Sequence, residues 1–109
     1  MSDPADLEYI VRPHRVTPKL WSRLRCAGPD RLIDVMIIVH HVNVRSYDGN
    51  GWTDQPAGEY LKRYLELQGR PAQEDTTFIR AYHARLTPAL IRTLATQRHV
   101  ERLQLDVAH

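Results

Sequence analysis

The segment from Leu32 to Val42 constrains the fold more than any other part of the chain. Every second position within it holds a β-branched aliphatic residue: Ile33, Val35, Ile37 and Val39. Side chains alternate between the two faces of an extended chain, so this pattern predicts a strand with one face buried in a core. The opposite face carries Asp34, Met36, Ile38 and His40. Such a mixed face is either half-covered by a neighbouring element or free to bind a partner.

Two Thr-Pro pairs predict where helices begin. Threonine is a good N-cap and proline is favoured at the first helical position, so Thr17-Pro18 and Thr87-Pro88 each mark a helix start. The first helix is expected to run for about nine residues and to stop at Gly28-Pro29-Asp30. The helix after Thr87-Pro88 is expected to end near Gln97, with an apolar stripe on one face. That stripe consists of Leu90, Ile91, Leu94 and Ala95.

A further helix is expected in the middle of the chain. Asn43 to Pro56 contains the turn-forming run 47–51, which ends the first strand. Asp54 is the expected cap of the helix that follows, and Gly69 is its expected stop. The apolar stripe of this helix is Ala57, Leu61, Tyr64 and Leu65.

Two later segments have the character of strands. Thr76 to Leu86 is extended in pattern, and its length suggests a bend or two short strands around Arg80-Ala81. One parity of this segment holds Ile79, His83 and Arg85. Val100 to Leu105 is expected to form a final short strand. The order of strands and helices predicts an α+β fold, with helices on one face of an antiparallel sheet.

Composition limits the class of protein. A chain of 109 residues forms one domain, and 15 basic against 13 acidic residues give a net charge of +2 without any basic cluster. Composition therefore leaves the partner open. The longest apolar run, Val35–Val39, is far shorter than the roughly 18 residues of a membrane helix, and charges in the first 20 residues argue against a signal peptide. A single cysteine, Cys26, excludes an internal disulfide, and the cytoplasm is the expected cellular location.

The pattern of chemically active residues does not indicate catalysis. His40 and His41 are neighbours on a strand and point to opposite faces, so they cannot chelate one ion together. His40 and His83 could meet on the outer face of the sheet, but no patterned carboxylate or cysteine joins them. The serines lack a Gly-rich elbow, and Cys26 near a helix end is typical of a small buried residue. We therefore expect no catalytic residue, no metal site and no cofactor.

Segments at both ends of the chain resemble the propeptides of bacterial subtilases. The first is Val16 to Leu24 with its Pro-x-Leu-x-x-x-Leu spacing, followed by the Gly-Pro-Asp stop and by the strand 33–39. In the second, Tyr82 to Thr87 is similar to the family's strand that leads into its second helix. Leu94 followed by 100–106 is similar to the family's ending of leucine, gap, valine, two residues, hydrophobe and acid.

This resemblance implies a ferredoxin-like antiparallel sheet with two helices on one face, plus a short N-terminal helix. It implies a propeptide-like domain over residues 17–105, with 1–16 as an N-terminal tail or edge segment and 106–109 as a C-terminal tail. In that family the outer face of the sheet packs on the protease and the tail enters the substrate cleft. The implied cleft tail is Asp106, Val107, Ala108 and His109. The implied sheet-face contacts are Met36, Ile38, Ile79, His83, Arg102 and Gln104.

The function implied by the resemblance is non-catalytic binding of a subtilisin-like serine protease, as inhibitor, folding chaperone or both. Because the chain starts at Met1 and ends at His109, it is expected to act in trans. The alternative is a ferredoxin-like regulatory or assembly module that forms a homo-oligomer through the same open face. Nucleic acid is not an expected partner in either case, since the sheet lacks the paired exposed aromatics that stack bases. A membrane is not an expected partner either, since the longest apolar run is short.

Overall fold

The computed structural model describes residues 12–47 and 49–106. The helices in these ranges are α1 Pro18–Cys26, α2 Ala57–Leu67 and α3 Pro88–Leu94. The strands are β1 Ile33–Val39, β2 Asn43–Tyr47, β3 Trp52–Pro56, β4 Gln73–Glu74, β5 Ala81–Leu86 and β6 Val100–Leu105. None of these helices has the length and apolar character that crossing a membrane would require.

β1 lies between β5 and β6 in a four-stranded antiparallel sheet of order β4-β5-β1-β6. Ile37 of β1 is opposite Tyr82 of β5 on one side and Leu103 of β6 on the other. Apart from α1 and the β2–β3 hairpin, the described elements follow one another as strand, helix, two strands, helix and strand. The predicted α+β class is confirmed, and the ferredoxin-like arrangement stays a prediction.

The core fills the space between the helices and the inner face of the sheet. Its strand residues include Ile33, Val35, Ile37 and Val39, each at most 4% exposed. Its helix residues include Leu20, Leu24, Leu61, Leu65, Ile91 and Leu94. Leu90, expected in the same stripe, is only partly buried against this cluster. Full burial of such an aliphatic side chain stabilises a fold by about 1.5–3 kcal/mol, so the inner face of β1 is a major source of stability.

The two Thr-Pro pairs begin helices as predicted, but their threonines act differently. The hydroxyl of Thr87 accepts a hydrogen bond from the Leu90 N–H at 3.4 Å, which satisfies one free donor of the first turn of α3. Thr17 occupies the same position before α1, yet its hydroxyl is buried without a partner in the described part of the chain. α1 has the predicted nine residues. α3 ends at Leu94, short of Gln97, because the amides of residues 96 and 97 bond three positions back and close a tighter turn.

Two parts of the prediction for the segment before α2 are wrong: the turn-forming run 47–51 connects two further strands and does not end β1, and Asp54 does not cap the helix. Asn43 to Pro56 instead forms an antiparallel hairpin of β2 and β3, in which Asp54 pairs with Arg45. α2 starts at Ala57, directly after Pro56, and its end agrees with prediction because Gly69 takes a left-handed φ of 74° just beyond it.

Of the extended segment expected over Thr76 to Leu86, only Ala81–Leu86 forms a strand, and the chain bends at Arg80, which is one of the two predicted alternatives. β5 begins only at Ala81, and the residues before it form a turn. The carboxylate of Asp75 accepts hydrogen bonds from the N–H groups of Thr77 and Phe78, at 2.8 and 2.6 Å, and these bonds curl the backbone away from an extended path. Arg80 ends the turn with a positive φ of 65°, close to the predicted bend.

The described residues before α1 extend the edge of the sheet. Val16 is buried and forms a parallel bridge with Leu103. The Thr17 N–H donates to the Leu103 carbonyl at 3.0 Å, and the Leu103 N–H donates to the Arg15 carbonyl at 2.7 Å. Residues 15–17 therefore pair with the edge of the sheet at β6, whereas 1–11 lie outside the described residues.

Candidate interaction face

The outer face of the sheet, turned away from the core, brings together five of the six predicted sheet-face residues. They are Met36 and Ile38 of β1, His83 of β5, and Arg102 and Gln104 of β6. Met36 and Ile38 are each half-buried. The Gln104 amide lies 3.6 Å from the Met36 sulfur and holds that side chain against β6. We call this set of five residues the outer face.

Ile79 does not belong to the outer face, so that part of the prediction is wrong. It lies in the turn before β5 and is 85% exposed, next to the exposed Phe78. The Asp75 hydrogen bonds that curl this turn remove Ile79 from the strand register in which it would have followed the parity of His83.

His83 joins two distant carboxylates on the outer face. Its Nε2 lies 2.7 Å from Oδ1 of Asp75, and its Nδ1 lies 2.7 Å from Oδ2 of Asp106. Asp106 follows the last residue of β6, and its N–H donates to the Asp34 carbonyl at 2.9 Å, which continues the pairing with β1. The first residue of the predicted cleft tail is therefore attached to the same face as Met36.

The hydrogen bonds of this bridge shift the pKa values of its members. The pKa of Asp75 falls to about 2, because its carboxylate accepts from His83 first and then from the N–H groups of Phe78 and Thr77. The pKa of His83 is raised above 6.5, chiefly by its hydrogen bond to Asp75. Burial opposes this rise and is the second-largest influence, and the hydrogen bond to Asp106 adds to the rise. Both shifts favour the charged forms of the two side chains, the carboxylate of Asp75 and the imidazolium of His83.

A second ion pair lies one step along the same face. Arg85 Nε is 2.8 Å from Oδ1 of Asp34, its partner in the strand register. Both side chains are well exposed, and surface pairs of this kind contribute little stability. Arg85 and Asp34 thus form a charged part of this side of the sheet, and Met36 and Ile38 form its apolar part.

The histidines and the cysteine do not form a site together. His40 follows β1 and its Nδ1 lies 3.5 Å from Oε1 of Glu101, whereas His83 is opposite Met36, so the two imidazoles considered from the sequence do not meet. Cys26 is exposed, contrary to expectation. Within residues 12–47 and 49–106, no group of three or more histidine, cysteine or acidic side chains could hold a metal ion.

The β2–β3 hairpin carries an aromatic pair that sequence reasoning missed. Tyr47 and Trp52 are exposed, face each other across the strands and have ring centroids 5.4 Å apart. Arg45 lies 5.3 Å from the centre of the Trp52 ring. Aromatic residues on both sides of a Gly-rich turn are a signal for such a pair. The expectation that nucleic acid is not a partner rests on a lack of paired exposed aromatics in the sheet, and the hairpin carries such a pair.

Of the predicted cleft tail, Val107, Ala108 and His109 lie outside the described residues, and Asp106 alone can be placed. Asp75, which anchors the other side of His83, was not expected to take part. The chain matches no protein-family model, no curated protein and no solved structure. Its outer face and the attachment of Asp106 are thus the features that bear on function.

Proposed function

We propose that this chain is a non-catalytic binder of a subtilisin-like serine protease and acts in trans as its inhibitor, its folding chaperone or both. The observation that carries the proposal is the attachment of Asp106 to the outer face. A protein seated on Met36 and Ile38 would meet the start of the tail on the same side of the sheet. The resemblance of both chain ends to subtilase propeptides supports the same function. The proposed place of action is the cytoplasm, with no cofactor required.

The outer face and the tail would contribute in different ways. Met36 and Ile38 supply apolar surface, whose burial stabilises a complex in proportion to the area removed from water. Residues 106–109 would lie in the cleft as an added strand, since main-chain hydrogen bonds give such peptides affinity and side-chain pockets give specificity. The sheet face would therefore hold the complex together, and the tail would block the cleft.

Shortening the chain to end at Leu105 tests the role of the tail. We expect the full chain to inhibit cleavage of a chromogenic peptide by a subtilisin-like protease, and the shortened chain to lose inhibition but retain weakened binding. Its fold should persist, because the core residues of β6 are Val100 and Leu103. Circular dichroism would check the fold, and calorimetry would measure binding. Unchanged inhibition by the shortened chain, or no binding to any subtilase tested, would overturn the proposal.

A matched pair of charge substitutions tests the outer face. Ile38→Glu places a carboxylate in the apolar part of that face, and Leu67→Glu places one on an equally large residue that is exposed at the end of α2. We expect Ile38→Glu to weaken protease binding more than tenfold, which requires only about 1.4 kcal/mol. Leu67→Glu should bind as the unmodified chain does. Equal binding by both variants would show that the outer face is not the contact surface.

The alternative, self-association through the same half-buried Met36 and Ile38, is separated by sedimentation of the same variants. A dimer that dissociates on Ile38→Glu but not on Leu67→Glu, together with no binding to any protease tested, would favour an assembly module.

A further inference from the structure

The bridge on the outer face sets a requirement on the protonation of His83. Each ring nitrogen lies 2.7 Å from a carboxylate oxygen, Nε2 on the Asp75 side and Nδ1 on the Asp106 side. A neutral imidazole has one N–H donor and one lone pair, whereas the imidazolium has two donors. A lone pair that faces an ionised carboxylate repels it. With both carboxylates ionised, both hydrogen bonds are therefore made only by the protonated ring.

We propose that His83 is a proton-dependent fastener for the start of the C-terminal tail. In its protonated state it holds Asp106 on the outer face, and loss of one proton from the ring releases the Asp106 carboxylate while Asp75 stays bound. The proposal concerns the isolated chain and does not depend on the binding of a protease.

Asp106 is the partner that leaves because it is held less firmly. The Asp75 side chain is 15% exposed, and its carboxylate accepts from two backbone N–H groups as well as from His83. The Asp106 side chain is 29% exposed. Among residues 12–47 and 49–106, His83 is the one group seen to bond its carboxylate. The remaining proton of a neutral ring therefore stays on Nε2, facing Asp75.

The other groups around His83 do not compete for its proton. Its neighbours on the same face and register are Arg85 on β5, Met36 and Asp34 on β1, Gln73 on β4, and Gln104 and the more distant Arg102 on β6. The nearest charged pair, Arg85 with Asp34, is closed on itself at 2.8 Å. Gln73 and Gln104 carry no charge. The two carboxylates that touch the ring thus dominate its titration.

The direction of the pH dependence follows from the two shifted groups. The pKa of His83 is raised from 6.5, so fastening is complete below 6.5 and is lost as the pH rises through the raised value. The pKa of Asp75 is lowered from 3.8 to about 2. The contribution of its ionised carboxylate to the bridge is therefore complete above pH 3.8 and is lost only as the pH falls towards 2. Release of Asp106 is therefore expected on the alkaline side, with loss of the His83 proton.

Nuclear magnetic resonance of the unmodified full chain tests the proposal directly. The ring resonances of His83 give its titration midpoint, and the couplings between Hα and the Hβ protons of each aspartate give its side-chain rotamer. As the pH rises through the His83 midpoint, Asp106 should change from one rotamer to an average of several. Asp75 should keep one rotamer throughout and serves as the internal control.

Two substitutions complete the test. Asp106→Asn should lower the His83 midpoint, because the ring loses a charged acceptor. His83→Leu, which neither titrates nor donates a hydrogen bond, should leave the rotamers of Asp106 averaged on both sides of that midpoint. Both residues lie outside the core, and circular dichroism would verify the fold. A single Asp106 rotamer on both sides of the His83 midpoint, or a midpoint that Asp106→Asn does not lower, would overturn the proposal.

Discussion

Replacement of Ile37 by alanine measures how much the inner face of the sheet contributes to stability. The side chain is fully buried at the middle of β1, between Tyr82 and Leu103. The substitution removes three carbon atoms, and about 0.8 kcal/mol for each buried methylene gives roughly 2.4 kcal/mol before any cavity forms. Because a packed strand between two others cannot collapse fully into the space, a cavity cost adds to this. We expect a loss of about 2–5 kcal/mol in the free energy of unfolding.

The adjacent residue provides the control. Ile38 is also an isoleucine within β1, but it lies on the outer face and is only half-buried. The change in strand propensity from isoleucine to alanine is shared by both variants, so their difference reports burial alone. We expect Ile38→Ala to cost about 1 kcal/mol, since roughly half of the transfer term applies and no closed cavity is left.

Urea unfolding monitored by far-ultraviolet circular dichroism gives both values, provided that the slope with denaturant is the same for the two variants. If Ile38→Ala costs as much as Ile37→Ala or more, the inner and outer faces of β1 have been assigned the wrong way round. The outer face would then lose its status as a free surface, and the proposed function would lose its basis.

Three further outcomes can be measured on the same chain. Gly58→Ala should destabilise by about 1–3 kcal/mol in urea unfolding, because the new Cβ would overlap the hydroxyl of Tyr82 and lie 2.8 Å from its Cζ, and Tyr82→Phe in the same chain should recover part of the loss. Thr87→Val should reduce the free energy of unfolding by about 0.5–2 kcal/mol, because α3 loses its cap. Thr17→Val should be neutral or stabilising, because the buried hydroxyl of Thr17 makes no hydrogen bond in the described residues. Thermal melts would compare the two variants. The stability advantage of the unmodified chain over His83→Gln should be greatest between about pH 4 and 6.5 and should shrink as the pH rises through the raised pKa of His83, as urea titrations at several pH values would show.

Burial along β1 and the helix starts could be predicted from the sequence because they depend on local patterns. The alternation from Ile33 to Val39 needs only the period of an extended chain, and the Thr-Pro pairs need only the geometry of the first helical turn. The strand Val100–Leu105 was predicted with its observed bounds for the same reason.

The errors arose where side chains and not apolar periodicity determine the backbone. Ile79 looks like a strand residue by composition, but the Asp75 carboxylate binds the amides that follow it and turns the chain. The hairpin of β2 and β3 has no fully buried side chain, and its strands do not alternate apolar with polar residues in the way that identifies a half-buried strand from sequence. Its best signal is the Gly-rich turn between Tyr47 and Trp52.

The His83 bridge could not be predicted, because it depends on the strand register. His83 reaches Asp75 and Asp106 through the pairing of β5 with β1 and of β1 with β6. No spacing in the sequence encodes those contacts. The parity of Met36 and Ile38, by contrast, was sufficient to place them on the outer face.

The position of β1 between β5 and β6 also has a consequence for the rate of folding. Ile37 pairs with Tyr82 and Leu103, which lie 45 and 66 residues further along the chain. Closing such long loops reduces chain entropy before the pairing of β1 stabilises anything, and the short β4–β5 pairing is the one local strand contact among the described strands of this sheet. The β2–β3 hairpin, whose strands are close in sequence, can form in about 1–10 microseconds. The four-stranded sheet should therefore assemble later and more slowly than a helical bundle of the same length, and only when β6 is available to complete it.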